Sequence, residues 1–443
     1  MLKNFINIFN IPELRKKLLF TLGVLVVFRL GCHIPVIGID LGALNQLISN
    51  ASSMLGGLFR YLDIFSGGAL SQSTLFALGV MPYVTASIMM QVLTLAVPQL
   101  EQMAKEGEYG RKIINQYTRY LAVFIAIIQS SGYIALLKSQ NLVVNPGWGF
   151  NIIFVISLTV GSLFVMWLGE QISLFGIGNG SSMIIFAGIV ARFPEYLGRT
   201  IHAVRDLGTL SVFTALLILL IYLAITACIV FLEKGERKIP VQYSRRVVGN
   251  KVYGGQSTYI PLKLNSAGVM PVIFTGAVLQ IPIFITSLLV QRGPAWLVPF
   301  SKTVADILNQ NGLLFNVLQF LLIIAFSYFY TAIIFNPEEL ADNIKKGGGF
   351  IPGIRPGKKT AEFFNYLLLR IGLIGAIYLG LLALSPNIMT AFISNMPFIL
   401  GGTGLLIVVL TALELAAQME SYLIEHRYEG FVTGGRLKPR SVR

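Results

Sequence analysis

Ten apolar runs dictate what this chain can become. They cover roughly 17–37, 74–96, 117–137, 150–170, 181–198, 211–232, 267–290, 312–335, 366–385 and 398–418. Most have the roughly 20 residues that a spanning helix needs. Lipid offers no partners to backbone N–H and C=O groups, and a helix satisfies them within itself. Only 12% of the 443 residues are charged, against about a quarter in soluble domains. The expected fold is all-α and polytopic. The fifth run is the exception in length: its apolar part ends near Ala191 and follows Gly176-Ile-Gly-Asn-Gly180, which predicts a short or interrupted helix. Residues 1–13 read as an amphipathic surface piece. The first run carries Arg29 and continues to Pro35 without a small-residue cleavage site, so it reads as a span and not a removable signal. Cys32 and Cys228 both lie in apolar runs and are expected to be small core residues without a disulfide.

Charge decides orientation. Alternating the connections places 26 Lys and Arg on the side of the N-terminal arm and 7 on the other, with Arg29 inside the first span. The positive-inside bias makes the richer side cytosolic, along with both termini. Two connections there are long and basic. In 233–263, short β-type segments at 238–243 and 257–262 flank a tip with Arg245, Arg246 and Lys251, the pattern of a basic hairpin. In 336–370, the stretch Gly347-Gly-Gly-Phe-Ile-Pro-Gly-Ile-Arg355-Pro-Gly-Lys-Lys presents Arg355, Lys358 and Lys359 on a Gly/Pro-shaped loop. Topology accounts for some of this charge. The excess points to docking on an acidic partner, RNA phosphates or an acidic protein face.

An internal repeat points to a pore. Gly79-Val-Met-Pro82 in the second run recurs as Gly268-Val-Met-Pro271 in the seventh. An offset of five spans inverts the second copy relative to the first, the layout of inverted-repeat transport proteins. A proline inside a spanning helix would also permit a bend. Val84 and Ile273 stand two residues after each proline. Before the second run comes a piece broken by Gly67 and Gly68, too short to span. Backbone of that kind survives at membrane depth only where protein or a water-filled cavity surrounds it. The bland alternative, an ordinary surface connection, stays open on these residues alone.

Catalytic and coupling chemistry is missing. No carboxylate stands mid-span to relay protons or cations, since Glu170, Glu233 and Glu414 lie toward span ends. Of three histidines only His33 is near a span, so neither a metal cluster nor a cofactor is expected. Gly353-Ile-Arg-Pro-Gly357-Lys358-Lys359 has the wrong spacing for a phosphate loop, and Gly176-x-Gly-x-Gly180 follows a membrane helix, not a strand. Inverted repeats alone also suit an ion-coupled small-solute transporter, but the missing carboxylates and large basic loops favour a passive protein-conducting channel. An enzyme would need a buried catalytic pair, and none is visible.

The motifs Phe65-Ser-Gly-Gly-Ala-Leu-Ser, Ala77-Leu-Gly-Val-Met-Pro-Tyr, Met166-Trp-Leu-Gly-Glu-Gln-Ile, Gly176-Ile-Gly-Asn-Gly, Gln256-Ser-Thr, Phe335-Asn-Pro, Phe350-Ile-Pro-Gly-Ile-Arg-Pro-Gly and Gly401-Gly-Thr follow one another in order. In this order they closely resemble the bacterial SecY family, channel subunits of the general protein translocase. The resemblance implies ten transmembrane helices in two inverted, pseudo-symmetric halves of five, a clamshell around an hourglass pore. It implies an apolar pore ring of Val80, Val84, Ile185, Ile273 and Ile407. It makes the broken segment 60–73 a plug, with Asp63, Ile64, Phe65, Ser66, Gly67, Gly68, Ala69 and Leu70 at its centre. Thr85 and Ile281 would face each other across a lateral gate. Arg245, Arg246, Lys251, Arg355, Lys358 and Lys359 would dock a translating ribosome, through rRNA phosphates, or the ATPase SecA. The small subunits SecE and SecG, signal peptides, nascent chains and lipid would be the other partners. The family's ring is commonly isoleucine, so valine at 80 and 84 implies a resting seal that leans more on the plug.

The chain is thus expected to divide into a cytosolic segment 1–16, an N-terminal half 17–200, a C-terminal half 201–418 with basic loops 233–264 and 336–365, and a basic tail 419–443. Its expected place is the bacterial cytoplasmic membrane.

Overall fold

The structure, a computed structural model, describes residues 11–49, 63, 66–205, 211–243, 246–248, 251–253, 257–292, 298–308, 312–392 and 402–434. In chain order the helices and strands are α1 (Pro12–Gly31), α2 (Leu41–Ser49), α3 (Met81–Ala96), α4 (Pro98–Lys105), α5 (Glu108–Ser139), α6 (Trp148–Phe175), α7 (Gly180–Val190), α8 (Phe193–Arg205) and α9 (Val212–Glu233). There follow β1 (Glu236–Tyr243), β2 (Arg246–Val248), β3 (Lys251–Tyr253), β4 (Ser257–Lys263), α10 (Met270–Arg292), α11 (Val298–Ile307), α12 (Leu313–Ile334), α13 (Pro337–Lys346), β5 (Gly349–Phe350), α14 (Lys358–Phe392) and α15 (Gly402–Gly434). Each of the ten apolar runs holds one of these helices. Among the described residues, six helices are long and apolar enough to cross a membrane, or seven if the bent pair α3–α4 is one span.

Two compact units emerge, Met1–Pro194 with Thr411–Arg443 and Glu195–Leu410. In the first, α3 packs on α5, α5 on α6, and α6 on both α1 and α7. Small residues set the close approaches. A Cβ on Gly180 would lie 1.7 Å from the Gly169 carbonyl of α6, and one on Gly31 would enter the Phe76 ring. That ring stacks between Phe28 and Phe164. In the second unit, α10 packs on α12, α12 on α14, and α13 on α14. Helix α9 is apolar throughout yet almost uncovered, with Leu216, Leu220, Leu223 and Phe231 exposed, as suits a surface solvated by lipid. Cys228 rides on it and is exposed, whereas Cys32 is buried, so only one of the two cysteines is a core residue.

The prolines of the repeat do not bend their helices. Gly79 and Gly268 both take left-handed backbone, at φ 55° and 62°, and a helix begins two residues later in each copy. Pro82 and Pro271 therefore occupy the first turn, where a missing N–H costs nothing. The Val84 N–H then closes on the Val80 carbonyl and the Ile273 N–H on the Val269 carbonyl. Consequently Thr74 is a bridge residue and 75–80 are turns, not the opening of a 23-residue helix. A proline does lie inside a helix further on, Pro282 of α10. A sharp break of 101° does occur between α3 and α4. Pro98 causes it: the residue before a proline is driven from helical to extended backbone, and Val97 sits at φ −108°, ψ 112°. The short fifth helix is as expected, since α7 has 11 residues, opens on an Asn179 cap and ends before Arg192.

The basic connections fold together. Strands β1 and β4 pair antiparallel from Glu236↔Lys263 to Gln242↔Ser257, close to the predicted segments. Strand β5, from the other loop, adds to the free edge of β1 through Gln242↔Phe350 and Tyr243↔Gly349, giving the order β4-β1-β5. Alternation sends Ile239 and Val241 to one face, where Leu262, Ile344, Ile351 and Phe364 form a common core with them.

Candidate functional site

The broken segment before α3 is held from four sides within the first unit. Asp63 is the hub. Its Oδ1 accepts from the Ser71 N–H at 2.9 Å and from the Ser66 hydroxyl at 3.3 Å, and its carbonyl accepts from the Gly68 N–H. Ser66 Oγ in turn accepts from the Leu70 N–H. These bonds tie Asp63 to 66–71, which pass through left-handed backbone at Gly67 and Gly68 (φ 66° and 95°). Only glycine takes this path without steric cost. Gly67 also lies against Gly188 of α7, whose Cα would stand 2.7 Å from any Cβ added there.

Charged and aromatic side chains complete the seat. Arg192, just past α7, donates from Nη2 to Asp63 Oδ2 at 2.5 Å and to Ser71 Oγ at 3.2 Å. Arg29 of α1 donates to the Gly67 carbonyl at 2.7 Å. The buried Tyr133 hydroxyl of α5 donates to the Leu70 carbonyl at 3.1 Å and meets Ser73 Oγ. Beyond the turn, Ser73 and Thr74 pair with 34–36, the chain leaving α1. Tyr133→Phe is expected to weaken the turn by roughly 1 kcal/mol, the net worth of one buried hydrogen bond. Faster hydrogen exchange at the Leu70 and Ser73 amides would register it; unchanged protection would contradict it.

Residues proposed from the sequence fall as follows. Asp63, Ser66, Gly67, Gly68, Ala69 and Leu70 belong to the seated turn, while Ile64 and Phe65 lie outside the described residues. Val80, Val84 and Ile185 are buried in the first unit and Ile273 and Ile407 in the second, none of them on an exposed apolar face. Thr85 is half-buried, its hydroxyl bonded to the Met81 carbonyl. The Ile281 backbone lies in α10, and its side chain is outside the described residues. Arg355, Lys358 and Lys359 are exposed beside β5. Arg246 and Lys251 occupy the β2–β3 hairpin and their side chains, like Arg245 altogether, lie outside the described residues. Arg29 and Arg192 were not singled out as site residues by the sequence reading, although a cation inside an apolar run is itself a signal of function.

Comparison with solved proteins defines the class first. The fold matches that of a protein-conducting channel with a TM-score of 0.62 and 18% identity over 96% of this chain and 95% of that one. It also matches a SecY structure whose plug domain is described as stabilising the closed state of the translocation channel and maintaining a membrane seal (TM-score 0.63, 18%, 96% and 95%). Canine Sec61 in a ribosome–channel complex matches at 0.59 and 16%, with the same coverage. This is therefore the fold of the helical protein-conducting channels.

Sequence then gives the family. The SecY family model matches residues 74–416. The protein translocase subunit SecY of Streptomyces coelicolor is 46% identical over 98% of this chain and 100% of its own length. The Aquifex aeolicus subunit is 43% identical over 96% and 98%, and that of Escherichia coli K12 43% over 97% and 96%. The chain belongs to the SecY family. That membership disfavours the small-solute transporter.

Proposed function

We propose that the chain is the membrane channel of a bacterial protein translocase. It passes unfolded secretory polypeptides across the cytoplasmic membrane and releases apolar segments sideways into lipid. The observation that carries this is family membership along nearly the whole chain. The seat of Asp63 and 66–71 supports it, because a short piece that breaks into turns at Gly67 and is held by buried polar contacts is what a plug requires.

Val80, Val84, Ile185, Ile273 and Ile407 supply the constriction in this reading. An apolar waist resists ions by dewetting and holds no fixed charge to trap a passing polar chain. Thr85 and Ile281 mark the lateral gate, and Pro282, directly after Ile281, gives α10 a point where the backbone ladder is interrupted. At that gate, segments sort by partition: about 20 apolar residues favour lipid, while each charge at the centre costs about 2.5–3.5 kcal/mol. The excess of Lys and Arg on one side sets both termini in the cytosol. The sheet β4-β1-β5 with Arg355, Lys358 and Lys359 then faces the motor, either a ribosome or SecA, and SecE and SecG join as small subunits.

An arrested, signal-bearing nascent chain is expected to crosslink to photoreactive probes at Val84 and at Ile273, and not to a probe on the lipid-exposed Leu220. Equal labelling at all three positions would sink the proposal.

A further inference from the structure

Arg192 has no part in the constriction, the gate or the docking sheet, yet it is the most strongly engaged cation near the plug. Its side chain is 15% exposed and that of Asp63 3%. A buried ion pair is costly to build and far more costly to split, because the partner left behind is an uncompensated charge. Arg192 also binds Ser71, so its Nη2 alone ties Asp63 to Ser71.

Position makes this more than a brace. The 11-residue helix α7 carries Ile185, then Gly188, on which the Gly67 turn rests, and Arg192 follows two residues after its end. We propose that Arg192 is the latch of the plug, a positioning residue through which occupation of the constriction at Ile185 is reported to Asp63. A chain that shifts α7 moves the floor of the plug and its counter-charge together. The plug is then released as a unit, without waiting for the incoming chain to reach it. Asp63 leaves as a hydrated carboxylate, and no covalent step is involved. This rests on the channel reading above, in which 60–73 is the plug and Ile185 lines the pore.

The test is resting potassium efflux from vesicles holding the reconstituted channel with its small subunits and no substrate. D63N and R192Q are each expected to raise efflux about tenfold or more, as follows from splitting a buried pair. The double variant is expected to leak no more than the leakier single one, because both remove one interaction. R192K, which keeps the charge but carries it on a shorter side chain of different reach, is expected to fall between. R192Q should add nothing once 61–71 is deleted; a structural defect in α7 would still add to the leak there. The inference is overturned if the deletion leaks while D63N and R192Q match the parent chain, or if R192Q raises efflux in the deleted background. If the deletion itself leaves efflux unchanged, the plug reading fails first. D63N keeps the side-chain shape and decides alone should R192Q not assemble.

Discussion

Deleting residues 61–71 is expected to raise the resting ion conductance of reconstituted vesicles by about a hundredfold. The magnitude follows from the seat. Separating a buried pair such as Asp63–Arg192 costs about 3–5 kcal/mol, and each 1.4 kcal/mol is a factor of about ten in population. The Arg29 and Tyr133 bonds to the turn add to this, and hydration of the freed groups subtracts. With valine at 80 and 84, each about one methylene short of isoleucine and so about 0.8 kcal/mol poorer in buried surface, the waist has less to fall back on. Single-channel recording or a dye-free potassium efflux assay reads the effect. Conductance equal to that of the intact chain would mean that the constriction seals alone and that the turn serves another purpose.

The second large effect concerns the docking face. Reversing Arg355, Lys358 and Lys359 to glutamate is expected to weaken motor binding at least about a hundredfold, since like-charge contacts across an interface cost several kcal/mol. The salt dependence of whatever binding remains should flatten or invert. The fold should tolerate the change. All three side chains are exposed and none belongs to the core beneath the sheet. Lys359 pairs with Glu362 at 2.8 Å, but both are exposed, and an exposed pair contributes little. Resting efflux should stay at the parent level, which separates this result from the first. Undiminished binding of both SecA and ribosomes, measured by sedimentation with vesicles, would remove these residues from the interface.

Much of the architecture was legible because bilayer physics writes it in one dimension. Apolar length placed a helix in each run, and the purely apolar stretch ending near Ala191 gave the short α7. The hairpin was readable from β-type segments on either side of a polar tip. What escaped depends on contacts between distant residues. The proline in each repeat looked like a kink because a run of apolar letters does not reveal where a helix starts; the left-handed Gly79 and Gly268 fix that start. Pairing of β5 with β1 joins positions about a hundred residues apart, and two residues of strand leave no pattern of their own. Arg192 was counted as one charge among seven on its side, and only its distance to Asp63 gives it a role. Cys228 looked interior because apolar runs read alike whether protein or lipid surrounds them.

The joined sheet has a mechanical meaning. Its strands lie between α9 and α10 and between α13 and α14, so four helices of one unit are joined through a single sheet. If the proposed motor docks there, a push on either loop is shared among four helices and not borne by one.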